Sequence, residues 1–185
     1  MFYLVRHGET AWSLTGQHTG LTDLSLTPNG REQAHLLKPV LEKLSFSEVW
    51  CSPLKRARET CQLAGFGDRA EIMPELVEWN YGRYEGLTST EIKKKKPNWN
   101  IFDHGAPGGE SPAQVQARAK VVVARMRQAQ NNVLIFSSAH ILRTLAACFL
   151  EQGPDFGKHL FLSTGSLSIL GDENQAPVIR LWNSE

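Results

Sequence analysis

Short apolar runs alternate along this chain with longer stretches of helical period, and three of those stretches open on a hydroxyl residue followed by proline: Thr27-Pro28, Ser52-Pro53 and Ser111-Pro112. A hydroxyl at the N-cap accepts a free backbone N–H, and proline at the first helical position gives up no hydrogen bond. Gln114, three residues after Ser111, completes a capping box. Strands are expected over Phe2 to Val5, Glu48 to Cys51, Val133 to Phe136, Ser166 to Leu170 and Val178 to Trp182. Helices are expected from Pro28 to about Leu44, Pro53 to Ala64, Pro112 to Gln130 and Ile141 to Leu150. Strand followed by helix, repeated, restricts the fold to the α/β class, a largely parallel sheet covered on both faces.

At 185 residues the chain suits one domain, 1–185, with a full core. The stretch at about 79–110 is rich in Gly, Pro, Trp and Lys and reads as an irregular, substrate-facing excursion over the sheet edge. Charges nearly cancel at +1, so no broad basic field draws nucleic acid or an anionic membrane. The run Lys93-Lys94-Lys95-Lys96 before Pro97 is expected to be a solvated helix end. The sequence has no apolar run of roughly 18 residues. With no basic, cleavable leader evident at the N-terminus, the expectation is a cytoplasmic protein. Cys51, Cys61 and Cys148 are odd in number and form no C-x-x-C pair, as reduced structural thiols do.

Chemistry gathers at three strand ends. The first delivers Arg6-His7-Gly8. The second delivers Cys51-Ser52 and a helix whose first turn carries Arg56, and helical side chains lean back toward the N-terminus. The third ends at Ser137-Ser138-Ala139-His140. Parallel topology brings all three to one sheet edge, where ligands of such sheets bind. Two arginines and helix N-termini suit a phosphate. A neutral His7 could then attack phosphorus, with a general acid protonating the leaving oxygen.

Glu78 is the leading acid, in the segment Glu78-Trp79-Asn80-Tyr81-Gly82-Arg83-Tyr84-Glu85-Gly86. Desolvation among aromatics favours a protonated carboxyl and nearby arginines favour the ionised one, so Glu85 stays a competitor and either residue could be an ordinary surface carboxylate. His18 is poised between a substrate contact and a solvent-facing role. His104 could reach a substrate if its loop folds over the site, while His35 and His159 read as surface residues. His, Cys and carboxylates nowhere take metal-ligand spacing, so no metal is expected.

The runs Arg6-His7-Gly8-Glu9-Thr10, Thr19-Gly20-Leu21-Thr22-Asp23 with Leu26-Thr27, and Ser52-Pro53-Leu54-Lys55-Arg56-Ala57 resemble successive motifs of the histidine phosphatase superfamily, also called phosphoglycerate mutase-like. Gly16 to Gly20, Glu78 to Gly86, Trp99 to Asp103 and Gly109-Glu110-Ser111 resemble its branch of sedoheptulose-1,7-bisphosphatases and broad-specificity sugar phosphatases. The resemblance covers nearly the whole chain. It implies a three-layer α/β/α sandwich, no cofactor, and small phosphorylated metabolites as partners of a monomer or homo-oligomer.

By the same resemblance His7 is the phosphorylated nucleophile, Glu78 the proton donor, and Arg6 and Arg56 the holders of the phosphoryl group. Thr19 and Gly20 line the substrate entrance, with Ser13 where mutases of the superfamily usually carry Asn. The family's second pocket histidine lies in a Ser/Ala-His-Gly run after the third strand. Anchored on Leu142-Arg143, that histidine position is Ser138 here and the following glycine is Ala139; His140, two places on, could fill the role only through a local rearrangement. The implied activity is hydrolysis of phosphate monoesters, reduced by the loss of a charged donor. A phosphoglycerate mutase and a weakly catalytic phosphate-ligand-binding protein are the alternatives.

Overall fold

Each inner strand divides its side chains between two cores. In the computed structural model, which describes residues 1–185, Phe2 and Leu4 of β1 (Phe2–Arg6) enter one core and Tyr3 and Val5 the other. The chain continues through α1 (Ala11–Thr15), α2 (Pro28–Leu41), β2 (Glu48–Cys51), α3 (Lys55–Leu63), β3 (Ala70–Ile72), α4 (Ser89–Lys95) and α5 (Ile101–His104). It ends with α6 (Pro112–Gln128), β4 (Val133–Ser137), α7 (Ala139–Phe149), β5 (Leu167–Glu173) and β6 (Ala176–Ser184). Val133 and Ile135 of β4 share the core of Phe2, whereas Leu134 and Phe136 share that of Tyr3. Helices α6 and α7 close the first core and α2 and α3 the second, which makes three layers.

The six strands form one sheet in the order β3-β2-β4-β1-β5-β6. The pairings β2–β3, β2–β4 and β1–β4 are parallel, and β1–β5 and β5–β6 antiparallel. The sheet is therefore mixed, with a parallel half that carries the crossovers. From β1 the chain crosses through α2 to β2, and from β4 it crosses through α7 on the opposite face to β5. The crossovers part between β1 and β4, the place where such sheets open a crevice. Arg6 pairs with Ser137 at its mouth.

Several boundaries differ from the expectations. Ser52 is not a helix cap, because its N–H still donates to Phe136 O (2.9 Å) as an extension of the sheet. Helix α3 begins at Lys55 behind Leu54, which makes no side-chain cap bond. Thr27 and Ser111 do cap their helices, Ser111 with its reciprocal Gln114 bond. Helix α7 starts two residues before Ile141, after an extended Ser138. Strand β3 has only three residues and leaves Ile72 exposed, too short for a periodicity to register. The edge hairpin turns at Asn174 and Gln175, both at positive φ (49° and 66°), as a two-residue turn matched to strand twist requires.

The lysine run ends α4 in full exposure, and all three cysteines are free and buried. No helix is long and apolar enough to cross a membrane.

Helix α2 starts against the backbone that follows β1. A Cβ on Gly30 would lie 2.1 Å from Glu9 O, and one on Gly8 would lie 2.2 Å from Gly30 O. Gly30→Ala should thus destabilise the protein by about 2–3 kcal/mol, roughly 5–10 °C in Tm. Thermal unfolding checks this, and an unchanged Tm would show that the helix start can retreat without cost.

Candidate active site

The first strand end presents a histidine whose proton is located by its partner. His7 is 4% exposed, and its Nδ1 lies 2.7 Å from the Gly8 carbonyl. A carbonyl only accepts, so Nδ1 carries the hydrogen and Nε2 keeps a bare lone pair. Burial, with Arg56 and Arg6 nearby, holds the imidazole pKa well below 6.5. The ring is neutral and nucleophilic at neutral pH. The turn beneath it is tied by Gly8 N–H donating to Thr60 Oγ1 (3.0 Å), while that hydroxyl donates to Arg56 O (2.8 Å). Arg6 donates through Nη1 to Leu162 O, and its buried Nε has no partner within the protein. Burial lowers its pKa to about 10, which leaves it charged.

Arg56 is fully buried. It donates to Ser138 Oγ (3.3 Å), Thr22 O (3.1 Å), Thr19 O (3.0 Å) and Gly20 O (2.9 Å), so one of its five N–H groups remains for a ligand. The guanidinium both brings charge beneath the site and pins the entrance loop. Glu85 grips the same loop from the other side, accepting from Gly20 N (2.8 Å) and Thr22 N (3.1 Å). This explains the glycine: a Cβ on Gly20 would lie 2.5 Å from Trp79 O.

Glu78, 3% exposed, occupies a different environment. Its Oε1 accepts from Trp79 N (2.8 Å) and Ile141 N (2.9 Å), and its Oε2 from His140 N (2.9 Å). Two of these donors belong to the first turn of α7, where the helix dipole favours a carboxylate. Oε2, with one donor against two, is the oxygen with room for a proton. The backbone leading to Glu78 is clamped by Arg118, which donates to Glu75 O (2.8 Å), Val77 O (2.7 Å) and Glu78 O (3.3 Å). Arg118 is held in turn by both oxygens of Glu110 (2.8 and 2.9 Å).

These groups surround a cavity of about 60 Å³, several times the ~10–15 Å³ that one water needs. The buried His7, Glu78 and Tyr81 line it together with the half-buried Arg6, Ala139 and His140, and Ser13, Gln17, His18 and Thr19, also half-buried, complete its wall. Ser138, 1% exposed, lies behind this wall with its hydroxyl turned to Arg56. His140 Nδ1 bonds the Tyr81 hydroxyl, which burial keeps protonated by raising its pKa well above 10. With the Tyr81 hydroxyl as the donor of this bond, the ring proton of His140 would sit on Nε2. Burial, then Arg143, His18 and Arg6, keeps His140 neutral.

The other candidates separate by position. The Ser13 hydroxyl is engaged in the α1 capping box, accepting from Thr10 N (2.8 Å) and donating to Thr10 O (3.0 Å). Thr19 Oγ1 donates to Gln17 O (3.3 Å). Glu85 holds the loop and is no part of the cavity wall, and His104 is exposed and bonded to Asn100 O (3.1 Å). His35 and His159 are exposed, as expected. Gln17, Tyr81 and Arg118 escaped the sequence reading. Only Tyr81, three residues after Glu78, carried a local signal.

His18 packs on Tyr81 and Trp99, with Nε2 3.2 Å from Ser89 Oγ, and burial lowers its pKa to about 4. Below the ordinary 6.5, the unfolded chain takes up a proton at this ring that the folded chain refuses until about pH 4. Stability therefore falls as pH falls through that window. His7 and His140, also depressed, act in the same direction. His18→Asn should reduce the slope of unfolding free energy against pH by about 1.4 kcal/mol per pH unit, measured by denaturant titration from pH 6 to 4.5. Equal slopes in the two proteins would refute a depressed His18.

Residues 2–185 match the family model of the histidine phosphatase superfamily, branch 1. An acid phosphatase of Mycobacterium tuberculosis is 40% identical over 175 residues, covering 92% of this chain and 86% of that protein. A sedoheptulose 1,7-bisphosphatase of Saccharomyces cerevisiae is 33% identical over 183 residues, covering 81% of this chain and 67% of that one. Among solved structures, the product of a Mycobacterium tuberculosis open reading frame superimposes with a TM-score of 0.95 at 37% identity, covering 98% of this chain and 96% of that one. With a matching family model over almost its full length, the chain belongs to branch 1 of the histidine phosphatase superfamily.

Proposed function

We propose that the protein hydrolyses phosphate monoesters of small metabolites, sugar phosphates foremost, through a phosphohistidine at His7. One observation carries this reading: the bare Nε2 of a neutral imidazole shares one small cavity with a permanent cation, Arg6, and a buried carboxyl, Glu78. The names of the relatives, an acid phosphatase and a sugar bisphosphatase, support the same chemistry.

In the first step His7 Nε2 forms a bond to phosphorus and the bond from phosphorus to the substrate's oxygen breaks. Glu78 delivers a proton from Oε2 to that oxygen, and the alcohol departs. In the second step water attacks the phosphohistidine, Glu78 takes the water's proton, and inorganic phosphate leaves with His7 restored. Arg6 and the remaining N–H of Arg56 meet the negative oxygens of the transferring group, and fixed donors of this kind need no reorganisation as charge develops. Thr19, Gly20 and Ser13 shape the entrance. Three buried free thiols fit a reducing, cytoplasmic setting.

His140 takes the part that the family gives to a histidine two residues earlier. Its support is the cavity wall, which contains His140 and not Ser138. A neutral Nε2–H there is a donor for a phosphoryl oxygen, while Ser138 serves Arg56.

Phosphate release from p-nitrophenyl phosphate and a panel of sugar phosphates should fall by on the order of 10³-fold or more in His7→Ala, and turnover unaffected by the change would exclude the mechanism. His140→Ala should lower kcat by on the order of 10²–10³-fold, with Ser138→His bringing little gain. The opposite pattern, a large gain from Ser138→His and no loss from His140→Ala, would return the role to position 138. Interconversion of phosphoglycerates faster than phosphate release would mark a mutase instead.

A further inference from the structure

We propose that the site selects esters carrying a single phosphate on an uncharged, hydroxylated body and discriminates against bisphosphates of the same size. This rests on the phosphatase reading above and narrows its substrate class.

A second phosphate needs a cation or several converging N–H donors. Arg6 is the one arginine or lysine in the cavity wall. Its charge, with that of Arg56 beneath, is engaged by the phosphoryl group at His7. Arg143, one turn beyond His140 on α7, is directed elsewhere: it donates to Gly157 O (2.9 Å) and lies 4.5 Å from the Phe102 ring centre. Apart from Arg6 and Glu78 the lining offers polar side chains without charge, among them Ser13, Gln17, His18, Thr19 and Tyr81. Burial keeps the His18 ring neutral to about pH 4.

The fixed charge near the mouth is negative. Glu85 stands behind Gly20 and accepts its N–H. A distal dianion would meet this carboxylate with no cation to offset it, and like charges brought together disfavour a ligand strongly. Hydroxyl groups, by contrast, can both donate to and accept from amide, imidazole and hydroxyl partners. The mouth cannot easily widen to reach a surface cation. His18 N–H donates to Leu87 O (2.9 Å), Gly86 N–H to His18 O (2.9 Å) and Gln17 Nε2 to Gly86 O (2.8 Å), which stitches the entrance loop to the excursion.

The test compares fructose 6-phosphate with fructose 1,6-bisphosphate, and ribose 5-phosphate with ribulose 1,5-bisphosphate. Phosphate release gives kcat/KM for the native protein, and calorimetry gives Kd for the non-hydrolysing His7→Ala variant. The monophosphate should be favoured roughly tenfold or more in both measurements, and Gln17→Arg, which adds a cation at the mouth, should narrow the ratio. Equal or better binding or turnover of the bisphosphates overturns the proposal, as does failure of both classes to bind. A ratio unmoved by Gln17→Arg overturns charge as its cause. Binding preference retained in a protein that turns over no ester supports the selectivity and refutes the phosphatase reading alone.

Discussion

The parallel pairing of β1 with β4 sets Arg6 opposite Ser137 and lets His7 N–H donate to the Ser137 carbonyl (2.9 Å), and the site is assembled outward from that contact. Because the two strands send their crossovers to opposite faces, the backbone opens immediately beyond His7. The start of α7 then faces the histidine across the gap. Its N–H groups at His140 and Ile141 have no carbonyl within the helix to receive them, and Glu78 fills that role. One pairing thus determines where His7 stands, where the helix end points and where a buried carboxylate is tolerated.

Buried charge is the second constraint. Arg56 is withdrawn from water completely, which is costly unless its donors are matched. Three backbone carbonyls of the entrance loop and the Ser138 hydroxyl match them. The same bonds that make the burial tolerable hold the loop in place, so the buried cation and the Thr19 to Thr22 segment are one arrangement. Glu85 and the Glu110–Arg118 pair repeat the pattern on the excursion, each trading its charge for backbone groups near Glu78 or Gly20. The polar groups of the site are therefore oriented before a ligand arrives, the condition under which electrostatic stabilisation is most effective.

The histidine that the resemblance leads one to look for at position 138 is absent, and the consequence is local. Ser138 retreats to Arg56, while His140, one residue into α7 from Ala139, stands in the cavity wall beside Tyr81. That wall holds a single cation, Arg6.

Much of this was legible from residues alone. The sheet and its helix layers followed from backbone period, and the starts of α2 and α6 from capping chemistry, because both depend on neighbours a few positions apart. Arg6 and His7 were legible for the same reason: a strand that ends in a charged residue and a glycine ends at the sheet edge. The choice of Glu78 over Glu85 was not. Both belong to one short aromatic segment, and they differ only in whether their oxygens meet the α7 N-terminus or the Gly20 loop, 63 and 65 residues away. Nor could Ser52 be excluded as a helix cap until its N–H was seen to serve Phe136. The sequence by itself determined the order of strands and helices and the chemistry at each strand end. The tertiary structure decided which of those groups face one another, because a hydrogen bond between distant segments depends on the whole sheet that brings them together.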